Sequence, residues 1–173
     1  MTGALVLALA LAGAPRAPLA CPPGTERRGA EPFDGYQVWC EGKDGAGLPR
    51  REGPARRFYD DGALWVEESF KAGERDGPFV EYHRNGRVAR EGRYVGGQQD
   101  GLWVLHYESG ATEEEAEFRQ GAAHGRFAGF RPDGTKRSEG RRCGGAPCGR
   151  WRSYDPAGHL EGEVVYETPS QTP

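Results

Sequence analysis

The chain has little of what enzymes and compact domains are built from. Only 36% of its 173 residues are hydrophobic, which argues against a large globular core. No Gly-x-Ser-x-Gly elbow, His-Glu-x-x-His pair or phosphate loop occurs, and these spacings mark nucleophile, zinc and nucleotide sites. The four histidines, His83, His106, His124 and His159, stand in no context that recommends a general base. Gly or Pro interrupts every window of helical length, so helices are disfavoured and with them phosphate binding at a helix N-terminus. Positive charge is not in excess: 23 Lys and Arg stand against 26 Asp and Glu, a net charge of −3, so no nucleic acid is expected as a partner. No apolar run approaches the roughly 20 residues that span a bilayer. The expectation is a chain with no catalytic residues, no cofactor and no metal.

The longest apolar run is Ala4 to Ala12, followed by small residues up to Ala20-Cys21. It reads as a secretory signal over residues 1–20. Two features depart from that pattern, a first stretch without Lys or Arg and Pro18 three residues before the cut; a buried strand or a wrongly assigned start codon is the rival reading. Removing the signal takes away Arg16, and the net charge moves from −3 to about −4. An exported chain with four cysteines implies disulfides. Cys143-Gly-Gly-Ala-Pro-Cys148 is local enough to close a tight loop, and Cys21 then pairs with Cys40, worth about 3 kcal/mol in the chain-entropy model. Two rivals stand beside this. The local thiols plus His124 would make a metal site, short of four ligands. Lipidation of Cys21 would anchor the protein to a membrane, but Pro18-Leu19-Ala20 fits a lipobox poorly and Cys40 would be left over. A membrane is a partner only in that case.

What the chain has in abundance is glycine, 28 residues of it, and it is periodic. One series is Gly53, Gly77, Gly101, Gly125 and Gly149; a second is Gly62, Gly86, Gly110, Gly134 and Gly158; a third is Gly73, Gly97, Gly121 and Gly145, each stepping by 24. Glu67, Glu91, Glu115, Glu139 and Glu163 follow the same step. So do three aromatic columns: Phe79, Trp103, Phe127 and Trp151, with Ala55 in the first copy; Phe70, Tyr94, Phe118 and Tyr166, with Arg142 as exception; and Phe58, Tyr82, Phe130 and Tyr154, with His106 as exception. Internal repeats of this kind set the architecture.

Each unit holds two short segments. The first turn carries Asp61-Gly62, Asn85-Gly86, Ser109-Gly110, Asp133-Gly134 or Ala157-Gly158, the signal of a type I′ hairpin turn. The second is bounded by glycines, Gly73 to Gly77 and its equivalents. With Asn85-Gly86 central, Phe79 faces Gly92 and Tyr94 faces Gly77; Trp103 faces Ala116, Phe118 faces Gly101, Phe127 faces Gly140 and Tyr166 faces Gly149. A ring over a bare cross-strand position shields its backbone. The rings then share one face, equivalent rings in adjacent repeats lying two strands apart, about 10 Å. Phe79, Tyr94, Trp103, Phe118, Phe127, Trp151 and Tyr166 are the candidate binding residues, since an apolar row marks a contact surface. The other face carries the glutamates: Glu67 faces Arg56, Glu163 faces Arg152, and the middle three face Val80, Val104 and Ala128. It is either a solvated face or a line of carboxylates for a basic partner. A basic cluster, Lys136, Arg137, Arg141, Arg142, Arg150 and Arg152, is either balanced by Glu139 and Glu163 or meets an acidic partner.

Residues 77 to 101, Gly-Pro-Phe-Val-Glu-Tyr-His-Arg-Asn-Gly through Glu-Gly-Arg-Tyr to Asp-Gly, resemble the bacterial variant of the MORN repeat found in YwqK-type antitoxins. The resemblance covers residues 53 to 167. It implies a row of antiparallel hairpins in one elongated, twisted sheet, contacts with proteins or lipids, and in some relatives the neutralising of a toxin. Export and disulfides depart from a cytoplasmic immunity role. The Cys143–Cys148 loop lies beside the missing ring at Arg142 and is expected to compensate for it.

The expected fold is all-β: an elongated single-layer antiparallel sheet of five hairpin repeats over 53–167, an N-terminal cap over 21–52 built on Gly35 to Cys40 and Asp44-Gly45, and a tail over 168–173. The expected function is an exported, non-enzymatic module that binds a protein or cell-envelope component, in the periplasm, on the surface or secreted. An antitoxin acting on a secreted toxin and a lipid-anchored structural envelope protein are the alternatives.

Overall fold

The computed structural model describes residues 17–32 and 36–168. Residues 1–16 of the expected signal, Gly35 of the expected cap and residues 169–173 of the expected tail lie outside the described residues. These form thirteen strands: β1 Glu26–Ala30, β2 Gln37–Lys43, β3 Pro49–Phe58, β4 Leu64–Lys71, β5 Glu74–Arg75, β6 Gly77–Tyr82, β7 Val88–Val95, β8 Gln98–His106, β9 Thr112–Arg119, β10 Ala122–Phe130, β11 Lys136–Cys143, β12 Ala146–Tyr154 and β13 Leu160–Tyr166. All pair antiparallel in one sheet that follows chain order, with β5 beside β4. The described residues contain no helix. The fold is the all-β array of tandem hairpins that the period implies.

The cross-strand register is as expected at all six ring positions. Phe79 pairs with Gly92 and Tyr94 with Gly77. Trp103 pairs with Ala116 and Phe118 with Gly101. Phe127 pairs with Gly140 and Tyr166 with Gly149.

The turns differ from the expectation. At the Asx-Gly turns the glycine is not a central residue. Gly62, Gly86, Gly110, Gly134 and Gly158 donate to the carbonyls of Tyr59, His83, Tyr107, Arg131 and Asp155, so Asn85 sits before a left-handed glycine (φ 80° at Gly86). Such a three-residue loop ends on an αL glycine. The Asx side chain has its own task. Asp61, Asn85, Ser109 and Asp133 accept from the backbone N–H two residues on, at 2.9, 3.0, 3.3 and 2.9 Å, the Asx and ST turn that recommends these residues. The type I′ signature lies in the other turn. Ala72-Gly73, Gly96-Gly97, Gln120-Gly121 and Gly144-Gly145 have positive φ at both residues, and Ala72 and Gln120 are the only described non-glycines so placed.

The register survives because each hairpin carries a compensating bulge. The outgoing strand holds one extra residue at Trp65, Ala89, Glu113, Arg137 and Glu161, where pairing shifts by one. The bulge returns the strand to the alternation that a two-residue turn would have given.

Shielding of the glycines also differs. A Cβ at Gly92 would meet Trp103 Cδ2 at 2.3 Å, and one at Gly140 would meet Trp151 Cδ2 at 2.4 Å. The atoms nearest each glycine therefore belong to a ring of the next strand, ahead of the directly paired Phe79 or Phe127. Across Gly101 and Gly149 nothing lies within 4 Å of such a Cβ; those glycines serve a positive φ instead. Over Gly92 the rings of Phe79 and Trp103 close to 5.5 Å between centroids, and over Gly140 those of Phe127 and Trp151 close to 5.0 Å. This is about half the expected spacing, because bare backbone between them lets both rings lean inward.

The N-terminal part is continuous with the array: β3 runs through the expected boundary at residues 52 and 53. It places a second small core on the polar face, Leu19, Val38, Cys40, Phe58 and Leu64, with Cys21 and Tyr82 against it. Both expected disulfides are present, Cys21–Cys40 and Cys143–Cys148.

Candidate docking surfaces

The seven candidate rings fall on one face, in two contacting runs. Phe79, Tyr94, Trp103 and Phe118 form the first, with centroid separations of 5.1 to 6.2 Å. Phe127, Trp151 and Tyr166 form the second. Much of this surface is already covered. Phe79 is 2% exposed and Trp103 0%. Arginines roof the rings: Arg75 lies over Tyr94, Arg90 over Phe79 and Trp103, and Arg142 over Phe127 and Trp151. Planar guanidinium stacked on rings excludes water from them while keeping its own charge hydrated. The ring missing at Arg142 is thus replaced by the arginine itself, rather than by the neighbouring disulfide loop. Glu68 is buried beneath this face and held by Arg57 at 3.2 Å and Arg75 at 2.6 Å. Exposure rises toward the C-terminus: Tyr166 is 41% exposed, beside exposed Val164.

The polar face shows the glutamate column paired as expected, Glu67 to Arg56, Glu91 to Val80, Glu115 to Val104, Glu139 to Ala128 and Glu163 to Arg152. Four of the five are consumed internally. Glu67 accepts from Arg56 and from the Tyr82 hydroxyl, both at 2.9 Å. Glu91 faces His106 Nε2 at 3.4 Å. Glu139 accepts from the Tyr154 hydroxyl at 2.6 Å and Lys136 at 2.8 Å. The Lys136 ammonium, and after it the hydroxyl, hold the Glu139 carboxyl below its ordinary value. Glu163 takes Arg150 at 2.9 Å and Arg152 at 3.0 Å, and hydrogen bonding to Arg152 lowers it likewise. Glu115 differs. Ala128 stands where Arg56 and Arg152 stand in other repeats, and Phe130 where Tyr82, His106 and Tyr154 do, so no described side chain hydrogen-bonds it, and Lys136 acts on it only through space.

The basic cluster does not stay together. Adjacent strand residues point to opposite faces, so Arg142 goes to the rings while Lys136, Arg141, Arg150 and Arg152 line the polar face. There they meet Arg126 of β10, which lies outside the sequence cluster because it is one strand earlier. Together with Glu115, Glu117 and Leu102 they border an open groove of about 620 Å³. Cys143 and Cys148 are bonded to each other, so their sulfurs are not paired as free thiolates with His124.

A family model described as the MORN repeat variant matches residues 51–72 and 147–168. The matches cover β3 with β4 and β12 with β13, and they fall in the same phase of the 24-residue period. They carry no sign of the bacterial antitoxin branch. Such repeats commonly serve binding or scaffolding. No curated protein matches the chain.

Proposed function

We propose that the protein is an exported, non-enzymatic repeat module that binds a protein of the cell envelope or exterior, and that it does so through the C-terminal half of its sheet. The observation that carries this reading is the uneven use of the two faces. In the N-terminal half Phe79 and Trp103 are buried, and Val38, Phe58 and Leu64 with the Cys21–Cys40 bond cover the polar face. In the C-terminal half Val164, Val165 and Tyr166 are exposed, and the polar face holds the groove. Exposed apolar and aromatic residues grouped on one region favour partner contact. Two disulfides fit an oxidising compartment. The Cys21–Cys40 bond supports a disulfide in preference to a lipid anchor at Cys21.

A photo-crosslinking residue at Val165 or Arg141, with a control at Arg28, tests the proposal in cells producing the protein. Discrete adducts from the two C-terminal positions and none from Arg28 are expected. Adducts from Arg28 alone would refute it.

A further inference from the structure

Arg126 and Arg141 are direct cross-strand partners. Like charges placed opposite one another on neighbouring strands destabilise a sheet. The fold does not require this pair: the equivalent partners in other repeats are Pro54 with Ser69, Pro78 with Arg93, Leu102 with Glu117, and Arg150 with Val165. Nor is it well neutralised within the chain. The Arg126 side chain is 87% exposed and comes no closer than 3.9 Å to Glu117, and no described carboxylate pairs with Arg141. In the same groove Glu115 lacks the partner that every other glutamate of its column has, and Leu102 stands 55% exposed at the edge.

The site thus offers charge of both signs within one depression, with Glu115 answered only at a distance by Lys136 and Arg126 only loosely by Glu117. A purely anionic ligand would satisfy the arginines and be repelled at Glu115. A flat anionic surface would not enter the groove. We infer that the groove takes an extended polypeptide segment, with acidic side chains on Arg126 and Arg141 and a lysine, an arginine or a backbone N–H on Glu115. From β9 to β12 the site crosses three strand spacings of about 4.8 Å, which an extended segment of roughly four or five residues covers. Arg150, already bonded to Glu163, closes the far end. This inference rests on the binding-module reading and names the chemistry of its partner.

Fluorescence anisotropy with three probes tests it: a labelled peptide in which a lysine precedes alternate glutamates, an all-glutamate peptide of the same length, and phosphatidylglycerol vesicles. The protein should prefer the mixed peptide over the all-glutamate one by about tenfold, and lose affinity for it as salt is raised. The R126E/R141E variant should lose about tenfold or more for both peptides, with its circular dichroism unchanged. E115Q should erase the preference while keeping the all-glutamate binding. Equal binding of the two peptides, indifference to R126E/R141E, or tighter binding to the vesicles would overturn the inference. Crosslinks from Val165 that persist in R126E/R141E would also overturn it while leaving the binding-module reading standing.

Discussion

Replacing Gly92 by alanine would set a Cβ 2.3 Å from Trp103 Cδ2 and 2.5 Å from Cε2. Ordinary contact begins near 3.4 Å, so the indole would have to retreat by about 1 Å, a shift of the kind that makes overpacking costly. It has nowhere to go: Trp103 is fully buried, with a tilted Phe79 and the edge-on rings of Tyr94 and Phe118 packed around it. Overpacking of this kind costs about 1–3 kcal/mol. Alanine returns about 0.4–1 kcal/mol by restricting the unfolded chain, since Gly92 has no left-handed φ. The net loss is about 1–2 kcal/mol, read as a lower urea midpoint or a melting temperature lower by roughly 2–8 °C. The array shows how to undo it. Phe127 sits opposite Ala116, so a smaller ring tolerates a Cβ beneath it. Trp103→Phe on the Gly92→Ala background should recover stability, with a coupling of at least about 0.5 kcal/mol in the double-mutant cycle. It also removes an indole N–H that donates to no described group. A neutral or stabilised Gly92→Ala, or additive single effects, would refute the reasoning.

Three further outcomes follow from the geometry. Arg141→Gln should stabilise the fold by about 0.2–1 kcal/mol in urea titrations, because it removes a like charge opposite Arg126, and it should weaken the mixed-peptide binding; a destabilised variant would show that the arginine has a structural partner. Acid should unfold the sheet: Glu139 and Glu163 are held below their ordinary 4.5, so their contribution is full above that value and is lost as pH falls through the lowered one. The urea midpoint should therefore stay flat from neutral pH to about 5 and then drop, more shallowly in a Glu139→Gln/Glu163→Gln variant; a midpoint that rises on acidification would contradict this. Cys21→Ser should cost about 3 kcal/mol and Cys143→Ser about 2 kcal/mol by thermal melting, since the first bond closes the longer loop; the reverse order would place the second bond's effect in packing.

The hairpin count, the pairing of Phe79 with Gly92 and the division of faces were legible because they depend on spacing alone, and spacing is what a repeat preserves. The turn geometry was less so. Asn85-Gly86 carries the composition of a type I′ turn, yet its asparagine is used for an Asx hydrogen bond, and two of the four type I′ turns begin on Ala72 and Gln120, which advertise nothing. The bulge residues Trp65, Ala89, Glu113, Arg137 and Glu161 share no chemistry, so no sequence signal marks them. The candidate surface was legible only in outline. A contiguous run of arginines divides between two faces, and its partner Arg126 is distant in sequence. The isolation of Glu115 turns on a hydroxyl that Phe130 lacks.

Everything proposed for the groove depends on hairpins laid side by side, advancing two strands per 24 residues. Pro78, Leu102, Arg126 and Arg150 are exposed equivalents on β6, β8, β10 and β12. Spin labels on cysteines at these sites, measured by pulsed electron resonance, should give about 20 Å for 78–126 and for 102–150, and about 30 Å for 78–150. A 78–150 distance no longer than 78–126 would contradict the array.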